Sequence, residues 1–254
     1  MPGSRDLLDH PLVSERYFFP RPSRLASPFR VDAGDATLAC SFHAVAPEAP
    51  TVVHFHGNGE IVDDYLGGFA ERFAWLGWNL LLAEYRGYGR STGEPLLGRM
   101  LGDVEHVVRA AGAPPERMVA FGRSVGSIFA IEAAARFPTL AGLVLESGVA
   151  DPAERLLLRL SPRELGVAPD ELARACAARL DHRRKLGAYA GPVLVLHAIH
   201  DGLVPADNAQ RLASWARGPV TRRLFEEGDH NTVLHENEHA YFDAVGEFLA
   251  SVMP

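Results

Sequence analysis

A serine flanked by glycines is the first place in this sequence where chemistry is indicated. The pentapeptide Gly122–Gly126 has Ser124 at its centre and glycine at both ends. Glycine removes the β-carbons that would clash where a strand turns sharply into a helix, and such a turn exposes the serine hydroxyl for attack. Five residues of this kind can occur by chance, but an apolar run, 117–121, precedes the serine and small and apolar residues follow it. The pattern therefore predicts that Ser124 is a nucleophile.

An acidic residue and a histidine follow the serine in the order that would activate it. Asp201 comes just after the apolar run 192–199, and His230 lies in the loop after the run 220–225. An imidazole beside the hydroxyl can remove its proton and later protonate the leaving group, while a carboxylate orients the ring. We therefore predict a triad of Ser124, Asp201 and His230. A cap on the helix that follows is the alternative role for Asp201.

Backbone N–H groups near Ser124 would have to stabilise the oxyanion of a tetrahedral intermediate. The residue after the nucleophile supplies one such group, here Val125, and the loop after the apolar run 51–55 supplies the other. We predict that this second donor is Asn58, with Gly59 as the second choice.

Substrate contacts are predicted around the same loop. Gly57 and Gly59 would let the backbone approach the substrate closely. Arg123, inside the Gly-x-Ser-x-Gly turn, is the third candidate for a substrate contact, although a structural role in holding the turn fits its position better.

A second motif has the spacing of a zinc-binding helix, His-Glu-x-x-His from His235 to His239. A zinc site also needs a third protein ligand, and Glu247 is the lone plausible donor downstream. The apolar residues after His239 favour a helix that packs on a sheet, so we predict no metal and no cofactor. Glu146, which ends an apolar run, is an alternative acid to Asp201.

Apolar runs alternate with amphipathic segments over most of the chain. Strands of this kind, each followed by a helix, indicate a parallel sheet covered on both faces by helices. Shorter runs near the start indicate an antiparallel meander. The predicted strands are 16–19, 29–31, 37–42, 51–55, 79–85, 117–121, 140–145, 192–199 and 220–225, and the predicted helices are 65–76, 101–111, 125–137, 207–215 and 234–252.

An arginine-rich interlude at about 149–190 breaks this alternation. Its leucines, including those within 156–160, predict two or three short helices, with seven arginines on their outer faces. We divide the chain into core segments 1–148 and 191–254 and a helical cap over 149–190. Such a cap would cover the carboxyl edge of the sheet, where open α/β sheets bind ligands. Its leucines favour a short to medium apolar acyl group. Its arginines could attract anionic substrates, but a charge run on helices is more often a solvated face.

Composition bears on the partners and the cellular location of the protein. The chain has 254 residues and a formal net charge of -7, which argues against nucleic acid as a partner. Its two cysteines are far apart, which favours reduced thiols. Neither a signal peptide nor an apolar run long enough for a bilayer is found, so we expect a cytoplasmic protein without a permanent membrane anchor. The oligomeric state is not indicated.

Together, five segments of the sequence resemble the α/β-hydrolase superfamily. They are His54–Gly59, Glu84–Ser91, Gly122–Ser127, His200–Pro205 and Gly228–Asn231. In particular, the sequence is similar to ABHD-type depalmitoylases and to single-domain serine hydrolases of the prolyl oligopeptidase clan. The resemblance implies a mostly parallel eight-stranded sheet, helices on both faces, a small helical cap and the triad named above.

Two positions depart from the usual pattern of that superfamily. Ala198 stands where glycine follows the histidine after the penultimate strand, and Asp229 stands where a second glycine precedes the last histidine. The charge of Asp229 could raise the pKa of His230. A side chain that faces solvent is the alternative, and it is the one we favour.

The predicted activity is hydrolysis of a carboxylic ester or thioester in two acyl-transfer steps. The expected partner is a small-molecule acyl ester or thioester. One alternative is an aminopeptidase-like amide hydrolase, which would need a carboxylate to bind the substrate's amine. Another is a non-catalytic binding protein on the same fold. A hydrolase of carbon–carbon bonds would also use a serine.

Overall fold

The computed structural model describes residues 6–253 and contains one eight-stranded sheet. The strands are β1 (Phe29–Asp32), β2 (Thr37–His43), β3 (Thr51–Phe55), β4 (Asn79–Ala83), β5 (Met118–Arg123), β6 (Gly142–Glu146), β7 (Val193–Ala198) and β8 (Val220–Phe225). Their order across the sheet is β1-β2-β4-β3-β5-β6-β7-β8. Strands β3 to β8 are parallel, and β2 pairs antiparallel with both β1 and β4. The predicted α/β fold with a mostly parallel sheet of eight strands is confirmed.

Helices cover both faces of this sheet. They are α1 (Pro11–Tyr17), α2 (Gly68–Trp75), α3 (Leu97–Ala110), α4 (Gly126–Arg136), α5 (Pro152–Leu157), α6 (Pro169–Leu180), α7 (His182–Ala188), α8 (Asp207–Trp215), α9 (Val233–Glu236) and α10 (Glu238–Val252). Side chains of α3, α4 and α8 pack in one apolar cluster with Val53, and side chains of α2 and α10 pack in another with Val52. Neighbouring strand residues join opposite clusters because their side chains alternate between the two faces.

The predicted strand at 16–19 is wrong. Helix α1 runs through this segment to Tyr17, and it begins where the side chain of His10 accepts a backbone N–H group of the first turn. Val13 and Tyr17, four residues apart, are both buried, as expected for one face of a helix. Four aromatic and basic residues are too few to distinguish a helical period from a strand period.

The arginine-rich interlude contains α5, α6 and α7, in agreement with the two or three helices predicted. Helices α5 and α6 pack against each other, whereas α7 packs against α4 and α8. Lys185 of α7 forms a buried ion pair of 2.6 Å with Glu132 of α4. Helix α7 is thus part of the helical layer on the sheet, and a separate cap over 149–190 stays a prediction.

Two further features concern membrane association and the cysteine thiols. Within residues 6–253, no helix is both long enough and apolar enough to cross a membrane. Cys40 and Cys176 are both buried, and neither forms a disulfide.

Candidate active site

Ser124 occupies the tight turn between β5 and α4. Its φ angle is 52°, in the left-handed region that residues with a side chain rarely adopt. The Ser124 N–H donates to the carbonyl oxygen of Glu146 at 2.8 Å, which holds the turn against the end of β6. The hydroxyl of Ser127 donates to the carbonyl oxygen of Ser124 at 2.6 Å. The turn therefore keeps its strained conformation through bonds to both neighbouring elements.

The glycines of this turn leave no space for a side chain. A β-carbon on Gly126 would overlap the carbonyl oxygens of Phe55 and His56. We expect Gly126→Ala to lower the free energy of unfolding by about 3 kcal/mol or more, because backbone atoms would have to move. Gly102→Ala, in α3 with no atom within 4 Å, should be neutral or stabilise the protein by up to about 1 kcal/mol. Urea unfolding compares the two variants, and equal stabilities would contradict the close packing.

The three residues of the predicted triad form a continuous chain of hydrogen bonds. Nε2 of His230 lies 2.8 Å from Oγ of Ser124, and Nδ1 of His230 lies 2.7 Å from Oδ2 of Asp201. All three residues are buried. The loops after β5, β7 and β8 bring them together because the carboxyl ends of parallel strands share one edge of the sheet. The arrangement allows the hydroxyl proton to move to the imidazole while the carboxylate holds the ring.

The surroundings of Asp201 keep it ionised. Its Oδ1 accepts the backbone N–H groups of Leu203 and Val204 at 2.9 and 2.7 Å. Its Oδ2 faces His230, and Nε2 of His197 lies 3.4 Å away. Burial alone would raise the pKa of this carboxyl, but hydrogen bonds from His197, His230 and Val204 outweigh burial and lower the pKa. Because its two oxygens have different partners, Asp201 can cap the local turn and orient the imidazole at once.

Two backbone N–H groups beside Ser124 have no hydrogen-bond partner among residues 6–253, those of Asn58 and Val125. Both residues line the cavity next to the serine. The neighbouring N–H of Gly57 is engaged, since it donates to a carboxylate oxygen of Glu60 at 2.6 Å. A substrate oxygen between the two free N–H groups would accept two hydrogen bonds, as an oxyanion requires.

The side chain of Asn58 anchors the segment that follows α1. Its Nδ2 donates to the carbonyl oxygen of Tyr17. Its Oδ1 accepts the backbone N–H of Phe19 at 3.1 Å and the hydroxyl of Tyr88 at 2.8 Å. With the side chain occupied in this way, the backbone N–H is the part of Asn58 that remains available to a substrate.

The three predicted substrate contacts differ in their positions. Gly57 and Gly59 do not line the cavity beside Ser124. A β-carbon on Gly57 would meet the side chains of Arg123 and Glu60, so this glycine makes room for an ion pair rather than for a ligand. Arg123 lines the cavity, but its guanidinium is already paired with other groups of the protein.

The guanidinium of Arg123 ties three loops together. It pairs with Glu60 through Nη1, and its Nη2 donates to the carbonyl oxygen of His230 at 2.8 Å. Its Nε lies 3.3 Å from Oε1 of Glu146, and the other carboxylate oxygen, Oε2, accepts the hydroxyl of Tyr241 at 2.6 Å. Burial raises the pKa of Glu146, and the charge of Arg123 opposes that rise. Arg123 is thus a positioning residue for the loop that carries His230, and Glu146 serves as its counter-ion.

Removing this arginine should be costly. We expect Arg123→Met to lower the free energy of unfolding by about 3–5 kcal/mol, because Glu146 would stay buried without a cation. The double variant Arg123→Met/Glu146→Gln should recover part of that loss. Arg109→Met removes an exposed arginine paired with Glu105 and should cost less than about 1 kcal/mol. Urea unfolding measures all three, and equal losses for Arg123→Met and Arg109→Met would refute the buried network.

A cavity of about 190 Å³ opens beside Ser124. Its apolar lining is Tyr17, Phe19, Val125, Val149, Leu158, Leu203 and Val204, and its polar lining is Asn58, Arg123, Ser124, Arg155, Arg159, His230 and Asn231. This volume is below the roughly 300–1,000 Å³ of pockets that hold drug-sized ligands, which favours a small substrate group.

One wall of this cavity is not indicated by the sequence. Tyr17 and Phe19 were expected in a strand, and Arg155 and Arg159 on outer helix faces, yet all four line the cavity. Of the leucine run, Leu158 lines it, and the rest of the run does not. No local pattern signals these contacts, because they depend on how α1 and α5 pack across the edge of the sheet.

The zinc-protease motif does not lie on one helix. Helix α9 ends at Glu236 and α10 begins at Glu238, with a break at Asn237, so His235 and His239 fall on different helices. Among residues 6–253, no group of three or more histidine, cysteine, aspartate or glutamate side chains is arranged to hold a metal ion.

The chain is similar to known proteins in both sequence and fold. It matches the family described as serine aminopeptidase, S33, over residues 46–187, more than half of the chain. The chain belongs to this family. Among its curated relatives, alpha/beta hydrolase domain-containing protein 17B of Homo sapiens is 26% identical over 222 residues, which cover 84% of this chain and 71% of that protein. The predicted resemblance to ABHD-type α/β-hydrolases is confirmed.

Several solved structures have a similar fold. An esterase of Pyrococcus furiosus superposes with a TM-score of 0.73 at 16% identity, covering 92% of this chain and 98% of that one. Est1E from Butyrivibrio proteoclasticus, solved with bound ferulic acid, superposes with a TM-score of 0.74 at 17% identity, covering 89% and 99%. At such identities the likeness concerns the fold. Together with the family match, it makes the protein an enzyme of the α/β-hydrolase class.

Proposed function

We propose that the protein hydrolyses carboxylic esters or thioesters through an acyl-enzyme on Ser124. The observation that carries the proposal is the hydrogen-bonded chain from Ser124 through His230 to Asp201, beside two free backbone N–H groups. A hydroxyl with a base 2.8 Å away and an oxyanion site next to it has the parts that acyl transfer needs.

The first step forms the acyl-enzyme. Oγ of Ser124 attacks the carbonyl carbon while Nε2 of His230 takes the hydroxyl proton. The carbonyl oxygen becomes an oxyanion, which the N–H groups of Asn58 and Val125 stabilise. Asp201 stabilises the imidazolium. Collapse of the intermediate breaks the bond to the leaving oxygen or sulfur, which receives the proton from His230 and departs as an alcohol or thiol.

The second step uses water. Nε2 of His230, neutral again, takes a proton from a water molecule as the water oxygen attacks the acyl carbon. The same two N–H groups stabilise the second oxyanion. Its collapse breaks the bond to Oγ of Ser124, which regains a proton from His230, and the carboxylic acid leaves. No metal or cofactor enters either step.

The cavity favours esters over the amides of an aminopeptidase. An enzyme of that kind needs a carboxylate to bind the ammonium group of its substrate. Among residues 6–253, the lining of the cavity includes three arginines and no acidic side chain. Its small volume, together with Leu158 on its wall, favours a short to medium acyl group. An esterase among the proteins of similar fold is consistent with this choice.

Covalent labelling tests the nucleophile. A fluorophosphonate should add one probe per chain, located at Ser124 by intact mass and peptide mapping, and Ser124→Ala should add none. A panel of oxygen esters, thioesters and aminoacyl amides then identifies the bond that is cleaved. A wild-type protein that is neither labelled nor active on the panel would contradict the proposal, and faster cleavage of aminoacyl amides would favour the peptidase alternative.

A further inference from the structure

Two arginines of the interlude, Arg155 and Arg159, line the cavity of Ser124. Arg155 lies in the last turn of α5, and Arg159 follows the helix by two residues. The molecule as a whole carries a formal net charge of -7. Two cations beside Ser124 therefore contrast with the negative charge of the whole chain.

Neither arginine has an acidic partner among residues 6–253. In the described part of the chain no carboxylate lies within ion-pair distance of Arg155, and Asp151, one helical turn earlier, is 3.7 Å from Arg211 instead. The guanidinium of Arg159 donates to the carbonyl oxygen of Arg16 at 2.9 Å and lies 5.3 Å from the ring centre of Phe19. The acidic side chains nearest in sequence are used elsewhere, because Glu154 pairs with Arg211 and Glu164 pairs with Arg16. Both charges at the cavity are therefore uncompensated.

A third donor converges on the same place. Tyr17 lines the cavity, and its hydroxyl has no hydrogen-bond partner among the described residues, since the hydrogen bond from Asn58 reaches its backbone oxygen. Burial raises the pKa of Tyr17 to about 12, and the charges of Arg155 and Arg159 act in the opposite direction. The phenol therefore keeps its proton, and it lies close enough to both guanidinium groups to feel their charge.

We propose that Arg155 and Arg159, with the hydroxyl of Tyr17, bind a carboxylate on the substrate of Ser124. The assignment rests on the proposed ester hydrolysis and adds the class of ester. A planar carboxylate suits guanidinium donors, and such charge-assisted hydrogen bonds are stronger than those between neutral groups. The carboxylate belongs either to the acyl portion or to the alcohol portion of the ester.

Two pairs of esters test the proposal, and within each pair one ester carries a carboxylate where the other carries a methyl group. Ethyl pentanoate and monoethyl glutarate carry the difference on the acyl side. Butyl butanoate and 4-(butanoyloxy)butanoate carry it on the alcohol side. For the wild-type chain we expect kcat/KM to be about 10- to 100-fold higher for the charged member of one pair, mainly through a lower KM. The pair that shows the preference identifies the side on which the carboxylate binds.

Variants of the two arginines provide the matched comparison. In Arg155→Gln/Arg159→Gln, the ratio of kcat/KM between charged and neutral esters should fall toward one. Arg163→Gln removes an exposed arginine of the same interlude that does not line the cavity, and it should keep the wild-type ratio. Glutarate should also protect the wild-type chain from fluorophosphonate labelling, and should not protect the double variant.

The outcomes separate this assignment from the proposed function. A ratio near one for both pairs in the wild-type chain, or a preference that the double variant retains, would overturn the carboxylate site and leave ester hydrolysis intact. If the chain is labelled but cleaves none of the four esters, the labelling experiment with glutarate tests the site instead. Failure of glutarate to protect the wild-type chain from labelling would then overturn the carboxylate site. A chain that is neither labelled nor active would overturn the proposed function, and this assignment with it.

Discussion

Ser124→Ala and His230→Ala are each expected to lower kcat for an ester by about 10⁴- to 10⁶-fold, and the double variant by little more than either single change. The losses do not add because the hydroxyl and the imidazole act as one unit. A serine without the base 2.8 Å away is a weak nucleophile, and the base without the hydroxyl has no proton to remove. The residual rate should exceed that in water, because the two backbone N–H groups still bind the oxyanion. Steady-state kinetics at saturating substrate measures the effect.

Exposed residues of the same types provide the controls. Ser214 lies on α8 and His106 on α3, both at the surface. Ser214→Ala and His106→Ala should leave kcat within about twofold of the wild-type value. Thermal unfolding of every variant checks that the chain is folded. Losses for Ser124→Ala and His230→Ala that multiply in the double variant would count against a shared proton transfer.

Asp201→Asn is expected to lower kcat by about 10³- to 10⁴-fold. The carboxylate accepts from Nδ1 of His230 at 2.7 Å and so directs the lone pair of Nε2 toward Ser124. An asparagine amide can donate to Nδ1 instead, which leaves the proton on Nε2 and removes the base. It also lacks the charge that stabilises the imidazolium. Rates measured at several pH values between about 6 and 9 should show the loss throughout this range.

The neighbouring carboxylate is a matched control for this substitution. Asp229 is exposed, and its Oδ1 accepts the backbone N–H groups of Asn231 and Thr232 at 2.8 and 3.1 Å. Because these bonds are local, Asp229→Asn should change kcat by less than about threefold. A loss comparable to that of Asp201→Asn would show that negative charge near His230, rather than the orientation of the imidazole ring, controls the rate.

We also expect the ionisation of Asp201 to make the free energy of unfolding depend on pH. Its pKa is lower in the folded protein than the ordinary value of 3.8, so the unfolded chain binds the proton more readily. The stabilisation from its ionised form is therefore complete above that ordinary value and is lost as pH falls toward the lower folded pKa. Urea unfolding at several acidic pH values should show this decline in the wild-type chain, and a shallower decline in Asp201→Asn.

Much of the fold could be predicted because its signals are local. The helix 207–215 and the strand 220–225 agree with the structure residue for residue. The strands β3 to β7 are buried throughout and appear in the sequence as mainly apolar runs, whereas the more exposed β8 is indicated by its place between two helical segments. The order of Ser124, Asp201 and His230 along such a chain was enough to expect them at one edge of the sheet, because parallel strands all end there.

Side-chain partners that come from distant segments could not be predicted in this way. Glu60 as the partner of Arg123, and Asn58 as the anchor of the segment after α1, follow from loops that meet only in three dimensions. The strand expected at 16–19 failed for a related reason. A short aromatic run fits either a strand or a helix, and burial against the rest of the molecule decides between them.

The sequence by itself determined the tight turn that carries Ser124, since its glycines and flanking apolar runs are required by local sterics. It also determined the order of strands and helices that brings Asp201 and His230 to the same edge. Only the tertiary structure decided what surrounds them. Arg155 and Arg159 belong to a run of charges for which the sequence predicts a solvated surface. They line the cavity because α5 packs beside the end of α1. Long-range packing, which no local period encodes, therefore sets the chemistry of the substrate that we propose.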